Sequence, residues 1–131
     1  MGIAYAKLRL ENPKRPELQP VEVEALADTG SLFLCIPEQI RLQLQLDITS
    51  SKEVTTADGK QTLCPYAGPI RVVFENRECY VGGIVIGNEV LLGAVPMEDM
   101  DLVVIPPLHR VQVNPRHPNF AGAPCKGFQQ S

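Results

Sequence analysis

The sequence predicts an all-β domain carrying one or two short helices. Two observations predict it. Apolar and polar residues alternate strictly near the start of the chain, and turn residues such as Asp58-Gly59 and Gly87-Asn88 cut the remainder into short β-favouring runs. Stretches with helical spacing stay brief. A chain of 131 residues suits one compact domain.

The elements follow in order. Over residues 3–10, Ala4, Ala6, Leu8 and Leu10 fall on one face and Lys7 and Arg9 on the other. Asn12-Pro13-Lys14-Arg15-Pro16 reads as a loop. Val21, Val23 and Ala25 alternate with Glu22 and Glu24 in a second strand that ends at Asp28. A short apolar strand, Leu32 to Ile36, comes after Asp28-Thr29-Gly30. Pro37-Glu38-Gln39 opens a short helix, with proline in the first turn and an acid near its positive end. Ile40 and Leu44 share a face of that helix, which fades by Asp47. Val54 to Thr56 and Gln61 to Leu63 form short arms around Asp58-Gly59, a pair that favours a two-residue hairpin turn with positive φ at both positions. A second hairpin joins Ile70–Phe74 to Tyr80–Ile86 through Glu75-Asn76-Arg77. Leu91-Leu92-Gly93 leads into a second helical patch, Pro96 to Met100, and Leu102 to Ile105 is the last clear strand. The expected domain is 1–113. Residues 114–131 form a tail rich in Pro, Asn, Gly and Gln, ordered at first and fraying by Gly122.

Composition narrows the partners. The formal charge of −3 and the pI near 5.3 leave no basic footprint for nucleic acid. Trp is absent and aromatics make up 5%, too few for a base-stacking platform. No run approaches the roughly 20 apolar residues that span a bilayer, so no membrane partner is expected. Met1 to Lys7 lacks a basic segment followed by an apolar stretch, so no signal peptide is expected, and Ala6 stands where a myristoylation site has Ser or Thr. Cys35, Cys64, Cys79 and Cys125 are too far apart in sequence for a Cys-x-x-Cys site. Reduced thiols and a cytoplasmic location are therefore expected. His109 and His117 read as loop or surface histidines; no metal and no cofactor is expected.

One constellation carries chemistry. In Leu26-Ala27-Asp28-Thr29-Gly30-Ser31, apolar residues lead into Asp-Thr-Gly, and an apolar segment follows. An ordinary Asp-containing turn contains the same residue types, but its flanks would be polar. About sixty residues on, Val90-Leu91-Leu92-Gly93 repeats the order of apolar run, glycine turn and short helix.

The two segments together resemble the retropepsin-like aspartic proteases, over roughly residues 3–106. The bacterial-type branch is the most similar, in Ala57-Asp58-Gly59, Gly68-Pro69 and Leu91-Leu92-Gly93. The resemblance implies a closed, mostly antiparallel β-barrel that works as a homodimer. It implies Asp28 as the catalytic aspartate, with Thr29 hydrogen-bonding across the dimer axis. Gly30 and Ser31 would complete the active-site loop. Ala57, Asp58 and Gly59 would form the tip of a flap over a peptide or protein substrate. Leu91, Leu92 and Gly93 would support the loop from below. The chain departs from retroviral members at Leu32 and Ala94, where those commonly carry an Asp and an Arg that pair, and its flap tip lacks a glycine-rich run.

The chemistry implied is peptide-bond hydrolysis. One chain supplies one such aspartate, so the second must come from another copy. Two carboxylates meeting at an axis share a proton; one activates water while the other hydrogen-bonds the scissile carbonyl. The alternatives are a catalytically inactive protease-like module for dimerisation or peptide binding, and a generic β domain with an accidental motif.

Overall fold

The protein was analysed as a computed structural model, which describes residues 3–127. Met1, Gly2 and the last four residues of the expected tail lie outside the described residues. The chain order is β1 (Ala4–Glu11), β2 (Val21–Ala27), β3 (Leu34–Ile36), α1 (Glu38–Gln43), β4 (Asp47–Thr55), β5 (Gln61–Phe74), β6 (Arg77–Val85), β7 (Leu91–Leu92), α2 (Ala94–Asp99), β8 (Leu102–Ile105), a 3-10 turn (Pro106–Leu108) and β9 (Arg110–Val113).

Alternation sets the first strands. In β1, Ala4, Ala6, Leu8 and Leu10 are buried while Tyr5, Lys7 and Arg9 face solvent. β2 pairs antiparallel with β1, from Ala4↔Ala27 to Leu10↔Val21. The sheet runs β4-β5-β6-β3-β7-β2-β1-β9-β8, and a further β5–β1 pairing closes six of these strands into a barrel. That seam is short: Arg9↔Val73, Leu10↔Val72 and Glu11↔Arg71. At its edge Arg71 bridges Glu11 (3.0 Å) and Glu78 (2.8 Å), tying β1, β5 and β6 together on the surface. The barrel is mixed: β2–β7 and β3–β6 are parallel pairs within it, and β9 pairs parallel with β1 outside it. Its interior is one apolar cluster that includes Leu10, Leu34, Ile36, Ile70, Val72, Leu92 and Met100. Cys79 joins this core, and Cys35 sits with Cys64 and Ile84 in a smaller cluster.

Several boundaries differ from the sequence reading. β4 begins at Asp47, so strand structure follows almost directly on the first helix. β5 is a single 14-residue strand, with Gly68-Pro69 inside it rather than opening a new one. The β5–β6 register shifts between Ala67 and Ile70, which accommodates a proline that cannot donate to the ladder. β6 starts at Arg77 and ends at Val85, β3 spans only Leu34–Ile36, and the second helix starts at Ala94. β9 was not anticipated. Among the described residues, no helix is long and apolar enough to cross a membrane.

Two polar residues hold the loops. Asn12 is buried and donates from Nδ2 to the Leu44 carbonyl (2.9 Å), so the loop after β1 caps the end of α1. Asp101 gathers the segment beyond β9. It accepts from the Gly122 N–H (2.8 Å), from Asn114 Nδ2 (3.0 Å) and from His117 Nδ1 (2.7 Å). Arg77, almost fully buried, donates to the His117 carbonyl. Residues 114–122 are thus fastened to the barrel. The Gly122 amide, then Asn114 and His117, hold the Asp101 carboxyl down at about 2.

That shift gives a pH signature. A carboxyl lower in the folded than in the unfolded chain stabilises above its ordinary value near 4 and loses the contribution as pH falls through 2. Asp101→Asn should lower Tm at pH 6, and the gap to wild type should close between about pH 4 and 2. Thermal melts of both proteins across that range measure it. A gap that persists unchanged at pH 2 would rule out the ionised clamp.

Candidate active site

Asp28 is the first residue beyond β2. Its N–H donates to the Leu92 carbonyl (3.0 Å), extending the parallel β2–β7 pairing by one residue. The chain then turns: Ser31 N–H donates back to the Asp28 carbonyl (3.1 Å). The turn also grips the side chain. Gly30 N–H donates to Asp28 Oδ1 (3.0 Å), and the Ser31 hydroxyl donates to Oδ2 (3.0 Å). A Cβ on Gly30 would stand 3.2 Å from Oδ1, so the tight approach favours glycine. Asp28 is half-buried, while Thr29 and Gly30 are exposed.

The second segment lies directly against this turn. β7 is sandwiched between β2 and β3: Leu91 pairs with Leu26 on one side and Cys35 on the other. Leu92 is fully buried. Ala94 N–H donates to the Ser31 carbonyl (2.8 Å) and Val95 N–H to the Leu32 carbonyl (2.9 Å). Between those contacts there is no room for a side chain. A Cβ on Gly93 would come 2.3 Å from the Phe33 carbonyl oxygen. Asp28, Gly30, Ser31, Leu91, Leu92 and Gly93 are therefore brought into one crossing of two loops.

The hairpin residues are not part of that cluster. Ala57, Asp58 and Gly59 are exposed at the end of the β4–β5 hairpin. The turn there is not the expected two-residue type. Gly59 N–H donates to the Thr56 carbonyl (2.9 Å), and only Gly59 takes positive φ (+83°). Asp58 stays out of the left-handed region because its carboxylate accepts from Thr56 Oγ1 and the Lys60 N–H, which winds a longer loop. The hairpin arm, not its tip, faces the active-site turn. A cleft of about 240 Å³ separates Gly30, Ser31, Leu32 and Phe33 from residues 52–55, with Cys35 and Ile84 also lining it.

A larger groove of about 450 Å³ lies elsewhere, against Lys7, Arg9, Glu22 and Glu24. Four of its charges sit in opposed cross-strand pairs, Lys7↔Glu24 and Arg9↔Glu22, with Glu75 beside them, as on an ordinary solvated sheet face. It holds no residue of the Asp28 turn.

The local electrostatics assign roles. Burial raises the Cys35 thiol, and the neighbouring Cys64 and Asp28 raise it further. Burial pushes Cys79 up to about 12. Such thiols remain protonated and are poor nucleophiles or metal ligands. Among the described residues, no group of three or more His, Cys, Asp or Glu could hold a metal ion. Asp28 enters no ion pair among them, so both of its side-chain donors are neutral.

Sequence reasoning missed Lys52 and Ile84 as cleft residues, while Val54, within the expected flap hairpin 54–63, does face the turn. The alternation at 52–55 was the available signal: Lys52 and Val54 are half-buried, Glu53 and Thr55 exposed. The crossing itself yields a test. Gly93→Ala should destabilise the fold by about 1–3 kcal/mol, since its Cβ meets backbone that cannot swing aside. Gly127→Ala, with nothing within 4 Å of its Cβ, should be near neutral. Urea unfolding of both variants decides, and equal stabilities would refute the close approach.

No protein-family model matches the chain, and no curated protein matches it. Among solved structures, the chain is similar to a retropepsin-like aspartic protease from Rickettsia conorii. The TM-score is 0.53 at 17% identity, covering 80% of this chain and 83% of that one. At that identity the likeness is one of fold, the retropepsin-like β-barrel.

Proposed function

We propose that the chain is an aspartic endopeptidase whose catalytic dyad forms when two copies bring their Asp28 carboxylates together. The observation that carries this reading is the Asp28 carboxylate itself. It is held at a strand end by the Gly30 amide and the Ser31 hydroxyl, beside a cleft, on a retropepsin-like fold. Thr29, exposed at the same turn, is placed in this reading at the axis between copies. A homodimer follows from stoichiometry, because one chain contributes one such aspartate and the chemistry needs two.

In the assembled site the dyad holds a single proton, since two adjacent carboxylates do not both ionise cheaply. The ionised member takes a proton from water, and the resulting hydroxide attacks the peptide carbonyl. The protonated member donates to that carbonyl oxygen and stabilises the tetrahedral intermediate. Collapse expels the amine, which leaves with a proton returned by the dyad. No covalent intermediate and no cofactor enters. The substrate is a peptide or protein segment lying in the cleft between the Asp28 turn and the β4 arm.

A second reading is an inactive module of the same fold that dimerises or binds peptide. It is favoured by Leu32, 56% exposed beside the site, where retroviral members commonly carry an aspartate. The two readings part at the chemistry. Asp28→Asn should abolish cleavage of a mixed peptide pool with little change in Tm, because shape is kept and the shared proton is lost. Wild-type cleavage should be strongest at mildly acidic pH, fall as both carboxylates ionise, and be blocked by pepstatin. Equal activity in the two proteins would end the protease reading; no activity in either, with a dimer by sedimentation, would establish the module.

The dimer has its own test. Sedimentation velocity of the wild type should show a monomer–dimer equilibrium, and a bulky substitution on the exposed turn, Thr29→Trp, should shift it to monomer. Wild-type protein that stays monomeric at high micromolar concentration would exclude a dyad between copies.

A further inference from the structure

Lys52 occupies an unusual seat in the cleft. It lies on the inward-facing side of β4 with Val54 and is half-buried. Its ammonium stands 4.5 Å from the Tyr66 ring centroid and 5.1 Å from that of Phe33. The two rings meet edge to face, 5.9 Å apart at 70°. Phe33 belongs to the chain leaving the Asp28 turn, and Tyr66 to β5, so the seat spans both sides of the cleft. Tyr66 is fixed from behind by Gly82: a Cβ there would come 2.3 Å from the ring, so the ring fills the space that glycine leaves.

Lys52 has no carboxylate partner in any ion pair among the described residues. Glu53, its neighbour, lies at the rim of the cleft on the opposite, exposed face of the strand, in register with Leu63. The remaining walls combine the apolar Leu32, Phe33, Val54 and Ile84 with the neutral hydroxyls of Ser31 and Thr55, so Lys52 is the one cation among them. An exposed lysine normally extends its charge into water. Here two aromatic faces hold the ammonium at the cleft instead, with no carboxylate partner. Such a cation is preorganised for an anion, and the groups on a peptide that supply one are the side chains of Asp and Glu.

We propose that Lys52 is a specificity-determining residue that selects peptides with an acidic side chain at one position near the scissile bond. The inference rests on the protease reading for the identity of the cleft as the peptide site. The acidic side chain enters beside Leu32 and Phe33, and its carboxylate accepts from Lys52 Nζ. The aromatic pair keeps the lysine stem ordered, so little freedom is lost on binding.

The test begins with wild-type digestion of a mixed peptide library and sequencing of the products by mass spectrometry. Asp and Glu should be enriched at one fixed distance from the cut. A preferred peptide is then compared with its Glu→Gln twin. Wild type should favour the acidic member about tenfold in kcat/KM, the scale of one charge-assisted contact, with the change falling in KM. Lys52→Met, which keeps the stem and loses the charge, should bring that ratio to about one. Lys52→Arg should restore it, which a structural role in packing alone would not require. An unchanged ratio in Lys52→Met, or no acidic enrichment in the library, overturns the proposal while leaving the protease reading standing.

A binding arm separates the two ideas. Fluorescence anisotropy of Asp28→Asn protein with labelled acidic and amide peptide pools should show selective binding of the acidic pool. That selectivity should disappear when Lys52→Met is added. Selective binding with no cleavage by wild type supports the subsite and refutes the protease. No binding of either pool, together with no cleavage, overturns both.

Discussion

Everything at the candidate site depends on one crossing of two chain segments that leaves no space for a side chain at Gly93. The Asp28–Phe33 turn passes over the end of β7, and three backbone bonds fasten it there: Asp28 to Leu92, Ala94 to Ser31 and Val95 to Leu32. An ideal Cβ at Gly93 would overlap backbone atoms at 2.3 to 2.8 Å, so the segments meet main chain to main chain. That contact serves the fold and the chemistry together. It inserts β7 between β2 and β3, which completes the barrel wall. It also fixes the turn whose amide and hydroxyl orient the Asp28 carboxylate. A functional group must be held by neighbours that are themselves held, and here the turn that grips Asp28 is itself fastened through main chain.

The parts of the fold legible in the sequence were those where one face is buried and the other wet. β1 announced itself because burial on one side imposes a period of two, and the alternation of Ala4 through Leu10 is complete. The helices were legible for a different reason: Pro37 and the residues after Gly93 mark sharp changes of direction. What stayed hidden had lost its periodicity. Asp47–Ser51 is exposed at every position, since this part of β4 lies at the sheet edge with no core to impose alternation. β5 carries two prolines, Pro65 and Pro69, which locally read as breaks. It continues through them because a register shift near Pro69 absorbs the missing donor. β9 follows a 3-10 turn and His109 in the left-handed region, and its four residues are too few to show a pattern.

The candidate site divides in the same way. The Asp28 turn and the Leu91-Leu92-Gly93 segment are contiguous in sequence, and each carries its own turn chemistry. Their meeting was expected from resemblance, and the backbone bonds between them supply the physical reason. The hairpin was harder. Asp58-Gly59 drew attention as the strongest turn signal, yet a turn signal locates where a chain reverses and not which residues face a neighbouring cleft. Those residues are Lys52 to Thr55, on the arm. Tyr66 and Phe33 are 33 positions apart, and their packing against Lys52 depends on β3 and β5 both pairing with β6. No local pattern could encode it.

Leu32 and Ala94 stand where the retroviral proteases that the sequence resembles commonly carry an aspartate and an arginine. An aspartate and an arginine at those places would put an ion pair next to the crossing. With both gone, no lone charge is left to desolvate, and the contact rests on backbone hydrogen bonds, with the Leu32 and Val95 side chains left exposed beside it. The consequence reaches the carboxylate. A dyad that shares one proton requires that no adjoining cation lock either member as an anion. Around Asp28 the donors are an amide and a hydroxyl, both neutral. A site built this way keeps its positive charge at a distance, and the cation that borders the cleft, Lys52, is held on aromatic rings rather than on the Asp28 carboxylate. On the proposed reading, a neutral turn carries the carboxylate of the dyad while a charged wall, joined to that turn through Phe33, reads the substrate.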